Sequence, residues 1–184
     1  MNGARARVLA HLLEYSVRRG NFTLKSGRES SWFIDSKQTI CSAEVMLDVA
    51  TLILERIADD ATAIGGLTMG ADGAAFITAG VAATRGRHLR AFSVRKEVKD
   101  HGAGGRISGA LLTTDKVVIT EDTTTRGTSL LEAARVVRDF GAQVVLLLPV
   151  VDRGGTAAAM ARAEGFAYEA LFGAPDLGFD YEGA

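Results

Sequence analysis

The sequence has few cysteines and prolines, and it lacks long hydrophobic runs. The single cysteine, Cys41, cannot form an intramolecular disulfide, and the histidines at positions 11, 88 and 101 form no Cys/His metal-binding pattern. The longest apolar run, residues 144–151, has eight residues including a proline, whereas a membrane span needs roughly 18–20. No signal-peptide hydrophobic segment follows Met1. We therefore expect a cytoplasmic protein that has no metal site of its own and does not insert into a membrane.

The charges nearly cancel, and the composition is that of an ordinary globular domain. Lys and Arg number 21 and Asp and Glu number 22, for a net charge of −1, so we expect no general attraction to nucleic acid or to an anionic membrane. With 184 residues, 47% hydrophobic and 23% charged, the chain has the length of a single domain, residues 1–184. Glycine is abundant, with 21 residues against 2 prolines, which indicates many tight turns or close backbone approaches.

From about residue 63 onward, short apolar segments alternate with helix-like ones. This alternation predicts an α/β fold with a central, mostly parallel sheet flanked by helices. Residues 1–40 would form mainly a small N-terminal hood and residues 41–175 the core. In the hood we expect a helix over 4–19 ended by Gly20, followed by short β pieces at 22–24 and 32–34. In the core we expect a helix from Ser42 to about 59, strands at 63–67, 89–94, 116–120, 143–151 and 166–172, helices at 72–84, 128–140 and 156–164, and a loop at 96–110.

The strongest functional signal is residues 117–130, where an apolar strand leads into two carboxylates and then into a loop that opens a helix. Ligands bind at the carboxyl ends of the strands in such sheets. The loop offers Thr and Ser hydroxyls, backbone N–H groups and a helix N-terminus, which together suit a phosphate. Glu121 and Asp122 suit hydrogen-bond donors such as the hydroxyls of a ribose, or a metal ion reached through water. The pattern therefore indicates a phosphorylated sugar; the alternative is a turn in which Thr128 or Ser129 only caps the helix.

A second segment concentrates positive charge. Arg95, Lys96, Lys99 and His101 fall within seven residues, and glycines follow at 102, 104, 105 and 109. A glycine-rich loop is mobile, and cations on a mobile loop suit a highly charged ligand that is enclosed during a reaction and then released. The alternative is a solvated loop with ordinary surface charge.

These segments resemble known motifs. Residues 117–130 resemble the phosphoribosyl-pyrophosphate (PRPP) motif of the type I phosphoribosyltransferases, and the string Arg-Lys-x-x-Lys-x-His-Gly from Arg95 resembles the catalytic loop of orotate phosphoribosyltransferases. Residues 22–35 and 150–155 are similar to the hood and to a later strand end of the same family, so the resemblance covers essentially residues 4–180. Glu121 stands where an Asp is more common, Arg126 where many members have a small residue, and the loop at 66–72 lacks the lysine that members commonly carry there.

The resemblance implies a type I phosphoribosyltransferase fold and an enzyme, a pentosyltransferase. It would join orotate to the ribose 5-phosphate group of PRPP, giving orotidine 5′-monophosphate and pyrophosphate in pyrimidine biosynthesis. Mg²⁺ would arrive bound to PRPP. A homodimer is also implied, in which Lys25, Arg95, Lys99 and His101 serve the neighbouring chain's site while Lys96 serves its own.

The resemblance also assigns residues to roles. Catalysis would rest on Lys99, His101 and Asp122. Orotate would contact Phe33, Ile34, Thr125 and Arg153. The guanidinium fork of Arg153 would be exposed to the ligand; the alternatives are a salt bridge with Asp152 or a helix-capping role. The residues expected to bind PRPP are Lys25, Arg95, Lys96, Lys99, His101, Glu121, Asp122, Thr123, Thr124, Thr125, Arg126, Gly127, Thr128 and Ser129.

Two other functions remain open at this point. One is a phosphoribosyltransferase for a purine or another pyrimidine base, against which the string from Arg95 to Gly102 argues. The other is a regulator that keeps a PRPP site without catalysis, which we would expect to have lost the loop cations or gained a nucleic-acid-binding segment.

Overall fold

The computed structural model describes residues 3–23, 27, 29–97 and 105–183. No helix among them is long and apolar enough to span a membrane. In the first part of the chain the elements are α1 (Ala4–His11), a π-helical turn (Leu12–Ser16), β1 (Val17–Thr23), β2 (Glu29–Ile34), α2 (Lys37–Ile40), α3 (Met46–Leu54), β3 (Ala63–Leu67) and α4 (Asp72–Thr84). They are followed by β4 (Arg90–Val94), β5 (Ile107–Gly109), β6 (Lys116–Thr124), α5 (Thr128–Phe140), β7 (Gln143–Asp152), α6 (Ala157–Ala163), β8 (Phe172–Gly173) and a 3₁₀ turn (Ala174–Leu177).

The core is a six-stranded sheet in the order β5-β4-β3-β6-β7-β8. All neighbouring strands run parallel except β5, which pairs antiparallel with β4. The sequence-based expectation of a mostly parallel sheet is therefore confirmed. β1 and β2 form a separate antiparallel hairpin, the hood, with Val17 paired to Ile34.

Apolar side chains cover both faces of the sheet. Alternate residues of a strand point to opposite faces, and β6 follows this rule, because Val118 packs in one buried cluster with α1, α3 and α4 while Val117 and Ile119 pack in another with α5. The central strand β3 is buried along its whole length. Helices therefore lie on both faces, as the alternation of strands and helices predicts.

The structure corrects the N-terminal expectation. The first α-helix ends at His11, and Gly20, expected to end a helix over 4–19, lies within β1. Residues 17–23 form their backbone hydrogen bonds with β2 instead of continuing the helix. The helical spacing of apolar residues in this segment did not predict this, because the partner strand lies farther along the chain and tertiary pairing overrides local helix propensity.

Four expectations for the core also differ from the structure. The helix expected from Ser42 begins at Met46 and ends at Leu54, and the expected loop 96–110 contains β5. In place of a last strand over 166–172, the chain makes one isolated bridge and then the two-residue β8. The strand β6 continues to Thr124, beyond the expected end at Thr120, because β7 runs beside it as far as Asp152.

Candidate active site

A cavity of about 830 Å³ opens between the hood and the carboxyl ends of β6 and β7. This is the edge at which parallel α/β sheets bind ligands. Its walls come from the hood hairpin, from the whole β6–α5 loop and from the end of β7. The lining residues are Arg18, Phe22, Thr23, Phe33, Thr123, Thr124, Thr125, Arg126, Gly127, Thr128, Ser129 and Arg153. The structure thus brings together the predicted phosphate loop and three of the four residues predicted to contact orotate, Phe33, Thr125 and Arg153.

The β6–α5 loop presents the open N-terminus of α5 to this cavity. Gly127 precedes the helix with φ 79°, a left-handed conformation that favours glycine, and its N–H donates to Thr124 Oγ1 at 3.0 Å. No side chain of the described residues caps the first turn of α5. The alternative in which Thr128 or Ser129 caps the helix is therefore wrong. The first-turn N–H groups and the helix dipole are directed at the space where an anion would sit.

The neighbouring β7–α6 loop packs directly against this phosphate loop. The N–H of Arg153 donates to the carbonyl of Thr124 at 2.8 Å. A Cβ atom on Gly154 would lie 1.9 Å from the carbonyl oxygen of Thr125, so only glycine allows this approach. Asp152 holds the turn in shape, because its Oδ1 accepts from the N–H groups of Gly154 at 3.0 Å and Gly155 at 2.9 Å.

The two acids lie at the end of β6 and are almost completely buried, with Glu121 7% and Asp122 8% exposed. Asp122 pairs with the ammonium group of Lys37, and its Oδ1 accepts from the N–H of Thr123 at 2.8 Å. Burial and the adjacent Asp122 raise the pKa of Glu121, the nearby positive charge of Lys37 lowers it, and the net result is a pKa of about 9. Glu121 therefore holds its proton at neutral pH.

Gly70, in the loop between β3 and α4, lets the backbone lie against this pair. A Cβ atom there would stand 1.5 Å from Glu121 Oε1 and 3.0 Å from Asp122 Oδ1. Gly65 and Gly66 differ from Gly70. They lie inside β3, where a Cβ atom would meet the carbonyls of Phe92 and Thr120, so the sheet and not a ligand requires them to be glycine.

Lys37 and Ser36 are site residues that the sequence did not reveal. Both lie just after the hood hairpin, and both contact the end of β6: Lys37 through Asp122, and Ser36 through a 2.6 Å hydrogen bond between its Oγ and Thr123 Oγ1. They are more than 80 residues distant from these partners along the chain. No motif or periodicity in residues 35–40 marks them, so the tertiary fold alone identifies them.

Arg153 lines the cavity but is only 6% exposed, which corrects the expectation of an open guanidinium. Its Nη2 donates to Ser30 Oγ at 3.0 Å, to the Trp32 carbonyl at 2.8 Å and to Glu182 at 2.8 Å, so its ion-pair partner is Glu182 and not Asp152. The guanidinium also lies 4.9 Å from the Trp32 ring centroid. Its buried Nε has no hydrogen-bond partner among the described residues.

The hood supplies the apolar wall of the cavity. Phe33 is 40% exposed and lies 5.8 Å from Phe22, ring centroid to ring centroid. Ile34 is 6% exposed and belongs to the hydrophobic core, because successive β2 side chains point to opposite faces. Any contact of Ile34 with a ligand in this cavity would therefore have to involve its main chain.

The cationic residues are only partly within the described region. The Arg95 side chain donates to Ser108 Oγ at 3.0 Å, Lys96 is exposed, and Arg126 is an exposed residue of the cavity wall. Lys25, Lys99 and His101 lie outside the described residues. Within the described parts of the chain, no cluster of three or more His, Cys, Asp or Glu residues could hold a metal ion.

Comparison with known proteins identifies the family. No family model matches the sequence. An orotate phosphoribosyltransferase of Corynebacterium glutamicum is 40% identical over 178 residues, which cover 96% of this chain and 95% of the relative. Two crystal structures of the Mycobacterium tuberculosis orotate phosphoribosyltransferase are also similar. The complex with Fe(III) dicitrate has a TM-score of 0.86 at 37% identity, and the complex with PRPP has 0.82 at 35%. Each alignment covers 96% of this chain and 100% of the crystallised chain. The chain belongs to the orotate phosphoribosyltransferase family.

Proposed function

We propose that the chain transfers the ribose 5-phosphate group from PRPP to orotate in the cavity between the hood and the β6–α5 loop. The products are orotidine 5′-monophosphate and pyrophosphate. One observation supports this location: three features that suit the three parts of the substrates lie next to one another. The uncapped N-terminus of α5 suits the phosphate, the buried acid pair beside it suits the ribose, and the aromatic wall with the guanidinium opposite suits the anionic pyrimidine.

The β6–α5 loop binds the 5′-phosphate. Backbone N–H groups at the start of α5 and the hydroxyls of its flanking residues donate to the phosphate oxygens. Arg126 is exposed on the cavity wall and adds a positive charge. The residues in this role are Thr123, Thr124, Thr125, Arg126, Gly127, Thr128 and Ser129.

Glu121 and Asp122 bind the ribose. Hydroxyl groups at C2 and C3 donate to carboxyl oxygens of the two residues, and Lys37 pairs with Asp122. As pyrophosphate leaves, positive charge develops on the ribose ring, and a carboxylate next to the ring stabilises that charge. Asp122 is for this reason the catalytic member of the pair.

Orotate lies between the hood and the end of β7. The exposed ring of Phe33 offers a flat apolar surface, and Arg153 offers a fixed guanidinium at the cavity wall. Thr125 and the main chain of Ile34 complete the proposed contacts. Water is excluded on the hood side by Phe22 and Phe33.

Lys25, Arg95, Lys96, Lys99 and His101 neutralise the pyrophosphate as it departs, and Lys99 or His101 supplies a proton. Mg²⁺ enters with PRPP as part of the substrate, held largely by its phosphate oxygens. We place the reaction in the cytoplasm and in a homodimer in which Lys25, Arg95, Lys99 and His101 reach the neighbouring chain's cavity.

A base panel tests the function. Purified protein with PRPP and Mg²⁺ should consume orotate, followed by its ultraviolet absorbance, and should leave adenine, hypoxanthine and uracil essentially unchanged. Consumption of one of the other bases in preference to orotate would make the chain a different phosphoribosyltransferase. PRPP binding without consumption of any base would make it a regulator.

A further inference from the structure

Lys37 covers the acid pair in the free protein. Its ammonium group pairs with Asp122 Oδ2, and the Lys37 side chain is 45% exposed while that of Asp122 is 11% exposed. A ribose hydroxyl that donates to this oxygen must therefore replace the ammonium group. Lys37 is the first residue of α2, a short helix whose Thr39 and Ile40 are buried, so its backbone is fixed while its long side chain is free to swing.

The position of this ammonium group matters for the reaction. The ribose ring becomes positively charged as its bond to pyrophosphate breaks, and an ammonium group held against Asp122 would oppose that charge. The pyrophosphate is attached to C1, the carbon next to the hydroxyl-bearing C2, so it lies beside the acid pair whenever that pair binds the ribose. The loop that reaches the pair through Gly70, residues 68–71, contains no Lys or Arg to meet it.

We propose that Lys37 is a pyrophosphate-binding residue, whose ammonium group leaves Asp122 for the pyrophosphate oxygens when PRPP binds. The proposal rests on the transferase function proposed above. Lys37 then has two successive partners: in the free protein it balances the charge of Asp122, and in the complex it balances the charge of the leaving group. The exchange also frees both Asp122 oxygens for the ribose.

Comparing the affinities for PRPP and for ribose 5-phosphate distinguishes a pyrophosphate-binding role of Lys37 from a structural role. PRPP and ribose 5-phosphate share the 5′-phosphate and the ring hydroxyls, but only PRPP has the pyrophosphate. Lys37→Met, which keeps the side-chain length and removes the charge, should weaken PRPP binding about 10- to 100-fold, the loss expected for one charged hydrogen bond. Ribose 5-phosphate should bind at least as tightly as to the wild type, since no ammonium group competes for Asp122. Calorimetric titration with Mg²⁺ and without orotate measures both affinities.

Lys116→Met is the matched control. Lys116 is 44% exposed and pairs with Asp60 at the opposite end of β6, so it resembles Lys37 in exposure and partner but lies away from the cavity. Its replacement should change neither affinity. Lys37→Arg, which keeps a positive charge, should retain PRPP binding within about threefold.

Equal weakening of both ligands by Lys37→Met would overturn the proposal and leave Lys37 a purely structural link between hood and sheet. Unchanged PRPP binding would overturn it as well. If Lys37→Met does not fold, Lys37→Gln provides the same comparison. Wild-type protein that binds ribose 5-phosphate but not PRPP would refute the transferase function itself, and this assignment with it.

Discussion

Glu121 shows how a single buried residue links the site to pH. It is 7% exposed at the end of a strand and has Asp122 as its neighbour, and these surroundings raise its pKa from 4.5 to about 9. Between those two values the folded protein keeps a proton that the unfolded chain has released. The free energy of unfolding therefore decreases as the pH rises through this window.

Replacing Glu121 with Gln should remove that pH dependence. The free energy of unfolding of Glu121→Gln, relative to the wild type, should increase between pH 5 and pH 8.5 by about 4 kcal/mol. Urea unfolding at the two pH values measures the difference. Glu164→Gln is the control, because Arg135 lowers the pKa of Glu164 and leaves it ionised at both pH values. Parallel curves for Glu121→Gln and the wild type would show that Glu121 has an ordinary pKa.

For single residues, the sequence predicted which side chains line the site better than it predicted the side chains that they pair with. Thr123 to Ser129, Phe33 and Arg153 were singled out from their order along the chain, and all of them line the cavity. The partners of Asp122 and Arg153, namely Lys37 and Glu182, were not found. Such pairs depend on how distant segments meet, and one lysine or glutamate in the sequence looks like any other.

Among the elements, the two loops that follow β6 and β7 act as one unit. The β7–α6 loop supports the phosphate loop through the Arg153 N–H and through the close approach of Gly154 to Thr125. Rigid support of this kind keeps binding groups in position without reorganisation when the ligand arrives. The geometry of the proposed phosphate site therefore depends on Gly154, because the absence of its side chain lets the two loops lie close together.

Gly154→Ala should damage both stability and PRPP binding. The new methyl group would lie 1.9 Å from the carbonyl oxygen of Thr125, and forcing the loops apart should cost about 1–3 kcal/mol of stability. Thermal unfolding and calorimetric titration with PRPP measure the two effects.

Gly80→Ala is the control for that substitution. Gly80 lies in α4 with no atom within 4 Å of an added Cβ, so alanine there should stabilise the protein by about 0.5–1 kcal/mol and leave PRPP binding unchanged. Wild-type affinity and stability in Gly154→Ala would mean that the loops can separate without cost.

The sequence predicted the elements that follow from local patterns of apolar residues. It did not predict the ends of elements that depend on pairing with another strand. The alternation of apolar strands with helices after residue 63 gave the sheet and its helices. The hood hairpin replaced the end of an expected helix, and β6 gained four residues beside β7. In both cases pairing with a neighbouring strand determined where the strand begins or ends. The pattern of apolar residues in one segment does not show which strand it pairs with.

At the scale of the whole molecule, the proposed shared active site makes a definite prediction. Lys99→Ala should disable the site of the neighbouring chain, whereas Asp122→Ala should disable the site of its own chain, so each homodimer should be inactive. A mixed dimer carries one intact site. Equal amounts of the two chains, co-expressed and assembled at random, should recover about a quarter of wild-type activity.

The recovery is measured as orotate consumption by the purified mixture, with each variant alone as the control. Size-exclusion chromatography of the same samples establishes that the variants still assemble. A dimeric mixture with no recovered activity would place the catalytic loop over its own chain's cavity.

In the proposed reaction, one cavity holds the phosphate, the sugar and the base together. A crystal structure with orotidine 5′-monophosphate would locate all three parts at once, since this product contains each of them. We predict the phosphate within hydrogen-bond distance of the N–H groups at the start of α5, the ribose hydroxyls at Glu121 and Asp122, and the pyrimidine between Phe33 and Arg153. A phosphate bound elsewhere, or a base that lies away from Phe33 and Arg153, would show that the three parts do not bind together in this cavity.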